Sequence, residues 1–324
     1  MRLSIETLTS ISQSTGYGLE NIEKAALLLD LLNVLTIHPA LKGQFALKGG
    51  TALNLFLLDM PRLSIDIDLN YIGATDRDEM LVQRPNIERA IAAVLSRQGF
   101  AIKRAPVEHA GGKWRAGYTS VMGQPGNLEI DINYVYRVPL WNVQQLNSRP
   151  IGHVQAREIP VVDIHELVAG KLAALFSRTR ARDVYDIARI SELMSRERLV
   201  PQRLRTAFLV FGAAGRIDVR SISIDAVSLS AEDAMRELVP VVRKSEIPEK
   251  EMADFAKELV VTCREFLQTV LPLSPEESRF LDLLLDRGTV DASLLTEDSD
   301  LKQRINRHPL LMWKARNAGK YRSR

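Results

Sequence analysis

The chain has 324 residues, 46% of them hydrophobic, a formal net charge of +3 and a single cysteine, Cys263. That length permits two buried cores, one cysteine excludes a disulfide framework or a cysteine-built zinc site within the chain, and no apolar run approaches the ~20 residues of a membrane helix. The opening residues, MRLSIETLTSISQSTGYG, lack the apolar stretch of a secretory leader, so the expected location is the cytoplasm.

In chain order, Ile22, Ala25, Ala26, Leu29, Leu32 and Leu35 recur at helical spacing and predict a helix within residues 18–41. Residues 45–48 read as a short strand, Gly49 and Gly50 as a turn, and residues 51–58 as a helix that ends before Pro61. Residues 64–72 alternate Ser64, Asp66 and Asp68 with Ile65, Ile67 and Leu69, the period of a strand with one polar face. Residues 86–98 predict a helix ended by Gly99, and the glycine-rich polar stretch 109–127 predicts a hairpin. Residues 128–136 alternate again, with Leu128, Ile130, Ile132 and Tyr134 on one face and Glu129, Asp131 and Asn133 on the other. From Asp163 onward the pattern is helical, apart from an alternating stretch at 219–224. The expectation is an α/β (α+β) core with a mixed sheet over residues 1–160, followed by a mostly helical domain over 161–324.

The stretch FALKGGTALNLFLLDMPRLSIDIDLNY, residues 45–71, combines two chemical devices. A double-glycine turn lets backbone N–H groups approach a ligand, and the helix that follows favours an anion such as phosphate at its N-terminus. On the next strand Asp66 and Asp68 project to one face, roughly 7 Å apart along the chain. Two such carboxylates repel unless a cation lies between them, and Mg²⁺ suits hard oxygen ligands beside nucleotide phosphates. Asp131, on the polar side of an otherwise apolar strand, is the candidate third carboxylate of a two-metal site. Inside a core its charge would be costly unless paired or metal-bound.

Two groups of residues carry a resemblance. The run Leu47, Lys48, Gly49, Gly50, Thr51, Ala52, Leu53, then Arg62, Ser64, Asp66, Ile67, Asp68 and Leu69, resembles the first motif of the AbiEii-type nucleotidyltransferases. Glu166, Lys171 and Leu172, with Arg178, Arg182, Asp183, Tyr185 and Asp186, resemble the family's helical lysine and Arg-Asp-x-x-Asp segment. The likeness runs from about Gly18 to about Ile190. It implies a DNA polymerase β-like nucleotidyltransferase fold and a toxin of type IV toxin–antitoxin and abortive-infection systems, restrained by an AbiEi-like antitoxin. It also implies Mg²⁺-dependent transfer from a nucleoside triphosphate to an RNA acceptor, a tRNA 3′ end, which blocks translation. A small molecule or a protein is the alternative acceptor, and a catalytically silent module of the same fold is the other alternative. Residue by residue, the resemblance makes Asp66 and Asp68 metal ligands, and Asp131 joins them from its place on the polar face of its strand. Gly49, Gly50, Thr51, Arg62, Ser64 and Lys171 become nucleotide-binding residues, and Asp183 and Asp186 join the catalytic set.

Independent of the resemblance, Lys171 shares a helical stripe with Ile164, Val168 and Leu175, behind a capping pair of Asp163 and Glu166. A lysine on such a stripe either needs an anionic partner or extends its ammonium to water. Replacing it by methionine is expected to leave stability unchanged or raised. Asp183 and Asp186, three apart, share a helix face; one orients Lys171 or the acceptor, and the other caps or pairs with Arg182. Arg178, Arg180 and Arg182, and the tail from Leu301 with eight Lys or Arg and no acidic residue, are either solvated surface or contacts to RNA phosphate. His38, His109, His153, His165 and His308 lack metal-ligand spacing. Gly111, Gly112 and Lys113 fail as a phosphate loop, because Trp114 stands where Ser or Thr is required.

Overall fold

The computed structural model describes residues 2–105, 111–195, 198–215, 217–247 and 249–318. Packing divides the chain into two compact units. One comprises Met1–Arg137, Val143–Val162 and Pro240–Pro248; the other comprises Val138–Asn142, Asp163–Val239 and Glu249–Arg324.

The first unit begins with helices α1 (Ile5–Thr15) and α2 (Leu19–Ile37), followed by strand β1 (Phe45–Lys48). A single helical turn, α3 (Gly49–Thr51), runs directly into a π-helical segment at Ala52–Leu57. Then come β2 (Asp66–Tyr71), α4 (Arg77–Arg97), β3 (Ala101–Arg104), β4 (Gly111–Thr119), β5 (Pro125–Asn133), β6 (Gln144–Leu146) and β7 (Ile159–Val161). The seven strands form one sheet in the order β3-β4-β5-β2-β1-β7-β6. It is mixed, as expected: β2 lies parallel to β5 and β1 to β7, and the other pairs are antiparallel. Alternation sets its two faces. Leu47, Ile67, Leu69, Trp114, Ile130 and Ile132 are almost completely buried on one face, where Leu32 and Leu35 of α2 meet Leu47 and Leu69. Burying a side chain of this size stabilises by about 1.5–3 kcal/mol, so the register that hides these residues also fixes which residues face outward. The stretch after β1 is tied to a distant part of the chain: Leu63 N–H donates to Val241 C=O at 2.8 Å and Arg243 N–H to Pro61 C=O at 2.9 Å.

The second unit is helical: α5 (Ile164–Arg178), α6 (Ala181–Ser195), α7 (Pro201–Ala214), α8 (Ala231–Glu237), α9 (Met252–Leu267), α10 (Pro275–Arg287), α11 (Ser299–Asn306) and α12 (Pro309–Arg316). Leu172, Leu175, Leu204 and Phe208 are buried where α5 and α7 pack, and the Phe176 and Phe208 rings lie 6.1 Å apart. Thr179, in the left-handed conformation at φ 42°, ends α5 and turns the chain into α6. Cys263 is buried in this unit, and burial pushes its thiol up to about 12, well above the range of a reactive cysteine.

Several elements depart from expectation. Helix α4 begins nine residues earlier than 86, because Asp76 caps it through the N–H groups of Asp78 and Glu79 and Pro85 is accommodated inside it. The alternation at 219–224 is not a strand. It comprises two 3₁₀ turns, Val219–Ser221 and Ile224–Ala226, each started by a side chain, Asp218 or Ser223, that accepts a backbone N–H two residues on. The expected hairpin is β4 to β5, closed by a Ser120 N–H bond to Gln124 C=O at 2.7 Å; His109 lies outside the described residues. Glu166 does not close a capping box with Asp163. It accepts the Trp141 N–H at 3.2 Å instead, while Asp163 caps His165 N–H.

Candidate active site

At the end of β1 the backbone must lie against side chains. Gly49 adopts φ +74°, and a Cβ there would stand 2.2 Å from Asp68 Oδ2. At Gly50 a Cβ would stand 2.9 Å from both Arg62 Nη2 and Ser64 Oγ. Only glycine permits this approach. Gly49, Gly50, Arg62, Ser64 and Asp68, named separately from the sequence, therefore come together around one turn. Thr51 belongs to it too, but its buried hydroxyl donates to the Asp66 carbonyl at 2.6 Å, which makes it a strut between turn and strand. Asn54, which sequence reasoning passed over, donates from Nδ2 to the Gly50 carbonyl at 3.0 Å and holds the turn from below.

The outward face of the sheet carries the acids. Across β2 and β5, Asp66 is in register with Glu129 and Asp68 with Asp131, on strands about 4.8 Å apart. Four carboxylates thus form two adjacent pairs on one face. The row through Asp68 continues to Lys48 on β1 and through Asp131 to Lys113 on β4, so it reads Lys48, Asp68, Asp131, Lys113 across four strands. Lys113 Nζ lies 3.8 Å from Glu129 and 4.0 Å from Asp131, and Lys48 Nζ lies over the Tyr136 ring at 5.9 Å. Asp131 is not inside a core: its side chain is 40% exposed, so its charge is tolerated by water and Lys113 without a metal. All the oxygen donors are hard, as Mg²⁺ requires, and their register suits a shared cation. Among the described residues, however, no three His, Cys, Asp or Glu side chains are gathered closely enough to hold an ion as they stand. Strand register, not the present side-chain rotamers, carries the fit. Glu129, Lys48 and Lys113 were missed as site residues because strand pairing is not written in any one stretch of sequence. The visible signal was the alternation of Lys113 and Arg115 with Trp114 and Ala116.

Lys171 lies in the second unit, on α5. Its side chain is 10% exposed, and Nζ stands 2.7 Å from Asp186 Oδ2 and 3.4 Å from Asp183 Oδ1, both on α6 and almost fully buried. Arg178 forks onto Asp183, with Nε at 2.8 Å and Nη2 at 3.1 Å. The lysine therefore has the anionic partners its position demanded and does not extend to water. Asp183 pairs with Arg178 where Arg182 was expected. Arg180 is engaged with Glu237 at 3.1 Å. Nearby on α5, burial pushes the Glu166 carboxyl up to about 8, against the opposing pull of the N–H groups of Trp141 and Leu140. His165 is locked between Asp163, 2.6 Å from Nδ1, and the Val200 N–H, 2.9 Å from Nε2, a structural role.

The family model described as the nucleotidyl transferase AbiEii toxin of a type IV toxin–antitoxin system matches residues 30–280. The chain belongs to the AbiEii family. AbiEii membership makes it a nucleotidyltransferase of toxin type and implies an antitoxin as partner. A solved structure, MenT4, a nucleotidyltransferase toxin from Mycobacterium tuberculosis H37Rv, superposes with a TM-score of 0.63 at 16% identity. The match covers 94% of this AbiEii chain and 98% of the other, so the two share a fold. No curated protein matches the sequence. Among the described residues, no helix is long and apolar enough to cross a membrane.

Proposed function

We propose that this AbiEii chain transfers a nucleotide from a nucleoside triphosphate to the 3′ end of a tRNA, blocking translation in the cytoplasm until an AbiEi-like antitoxin restrains it. The observation that carries the reading is the register of Asp68 with Asp131, with Asp66 two residues before Asp68 on the same face, beside the Gly49–Gly50 turn. In this reading Asp66, Asp68 and Asp131 hold Mg²⁺, which when bound supplies activation of the acceptor hydroxyl and charge neutralisation on the triphosphate. The turn offers backbone N–H groups to phosphate, with Arg62 and Ser64 behind it, and Thr51 fixes the turn to β2. Lys171, whose ammonium Asp183 and Asp186 hold in one place, is the residue that the family resemblance assigns to triphosphate binding. The acceptor hydroxyl releases its proton to solvent and attacks the α-phosphorus, a new phosphodiester bond forms, and pyrophosphate leaves with the electron pair of the broken bond between the α-phosphorus and the bridging oxygen.

The test incubates the purified chain with Mg²⁺, each α-labelled triphosphate in turn, and total tRNA. Label is expected on RNA, and Asp66→Ala or Asp68→Ala is expected to abolish it without changing the melting temperature by more than a few degrees. Label on a protein or small molecule and never on RNA overturns the acceptor; normal transfer by a folded Asp66→Ala variant overturns the site.

A further inference from the structure

The sheet face that bears the carboxylates also bears a basic strip beside them. On β4, Lys113 and Arg115 point to this face, opposite Asp131 and Glu129 respectively. On β3, Arg104 is the direct cross-strand partner of Arg115. Lys103 joins them: its Cε lies 2.6 Å from where a Cβ of Gly117 would be, so its stem lies across the position two residues beyond Arg115 on the same face. All four side chains belong to exposed residues. Two arginines set directly opposite on neighbouring strands repel each other; Glu129, in register on the other side of Arg115, offsets part of that repulsion, and an anion lying over the pair would offset the rest.

Strand β3 is at the edge of the sheet, and charges on an edge strand are a common guard against pairing with another chain. That account covers Lys103 and Arg104. It does not cover Lys113 and Arg115, which lie one strand in and lead toward β5. Of the three arginines that the sequence offered as solvated surface or RNA contacts, Arg178 pairs with Asp183 and Arg180 with Glu237, while Arg182 is exposed.

We propose that Lys103, Arg104, Lys113 and Arg115 form the docking strip for the phosphodiester backbone of the acceptor RNA, leading its end across β4 to the carboxylates of β5 and β2. This rests on the reading of RNA as the acceptor. Charge complementarity selects a polyanion, and the row from Lys113 to Asp131 to Asp68 brings its end to the reacting groups.

The experiment measures binding of fluorescently labelled total tRNA to the full chain over a salt series. It compares the unaltered protein with the triple variant Lys103→Gln, Arg104→Gln, Arg115→Gln; Lys113 is left in place because it also pairs with Glu129 and Asp131. The triple variant is expected to bind at least tenfold more weakly near 0.1 M salt, with a log–log slope shallower by about 2, from ~0.7–0.9 per phosphate contact. Binding of each Mg²⁺-nucleoside triphosphate by calorimetry is expected to be unchanged, and Arg104→Lys with Arg115→Lys is expected to keep most of the slope. The single Arg115→Gln variant carries the same test with a change of about threefold, should the triple variant fold poorly. Unchanged tRNA affinity and slope overturn the strip, as does a parallel loss of triphosphate binding, which would assign these cations to the nucleotide. Should the unaltered protein bind no tRNA and modify a protein or small molecule, the RNA reading itself falls and the strip with it. The two failures are therefore distinct.

Discussion

Lys171 shows how far a single side chain can be judged by its neighbours. Replacement by methionine removes the cation 2.7 Å from Asp186, a carboxylate with no exposed side-chain surface. Breaking a buried pair from one side typically costs 3–5 kcal/mol, and Arg178 continues to neutralise Asp183. Lys171→Met is therefore expected to lose transfer activity and about 3 kcal/mol of stability, opposite to the stability change expected from the sequence. Adding Asp186→Asn is expected to recover melting temperature without recovering transfer. A second prediction concerns Glu166, whose folded-state pKa of about 8 stands above the ordinary carboxylate value of 4.5 because it is buried. Between those values the folded state holds a proton that the unfolded state has released, so stability falls as pH rises through this window, by about 1.4 kcal/mol per pH unit. Glu166→Gln keeps the acceptor for the Trp141 N–H and cannot ionise. Its melting temperature is expected to converge with the unaltered protein near pH 5 and to exceed it near pH 8; parallel curves would exclude the effect.

For elements, the turn after β1 offers a controlled comparison. Gly43 and Gly49 both have positive φ, +75° and +74°, but a Cβ at Gly43 meets nothing within 4 Å, whereas one at Gly49 meets Asp68 Oδ2 at 2.2 Å. Alanine at either costs about 1 kcal/mol for the left-handed backbone. Gly49→Ala must also displace the Asp68 carboxylate, so it is expected to lose transfer at least a hundredfold while Gly43→Ala melts lower and transfers normally; equal activities would detach the turn from the site. The same element explains what was legible in the sequence. Strands β2 and β5 could be read because one face of each is buried and the other meets water, which writes a period of two into the residues. Strands β3, β6 and β7 are only three or four residues long, β7 carries Pro160, and β3 is exposed throughout, so no period develops. The 219–224 stretch did alternate, yet local caps at Asp218 and Ser223 took its backbone hydrogen bonds. For the site, Asp66, Asp68 and Asp131 could be named from alternation. The addition of Glu129, Lys48 and Lys113 depends on register between strands, and the partners of Lys171 depend on how α6 returns along α5.

At the scale of the whole molecule, the two units do not correspond to two lengths of chain. The path leaves the first unit at Arg137, re-enters at Val143, leaves at Val162 and returns once more at Pro240. That last visit matters to the turn that bears Arg62, because Val242 bridges Arg62, Leu63 N–H is held by Val241, and Arg243 N–H by Pro61. A fragment ending at residue 239 is expected to transfer no nucleotide and to give a broad, poorly cooperative melt, while a sharp melt with full transfer would show that the returning segment is dispensable. In time rather than in space, the feature means that activity arrives late in synthesis. A ribosome that stalls before Pro240, or a message cut short of it, releases a polypeptide whose Pro61–Leu63 stretch lacks the backbone partners Val241, Val242 and Arg243. The cell making this toxin meets the finished catalyst only after the segment from Pro240 onward has been read.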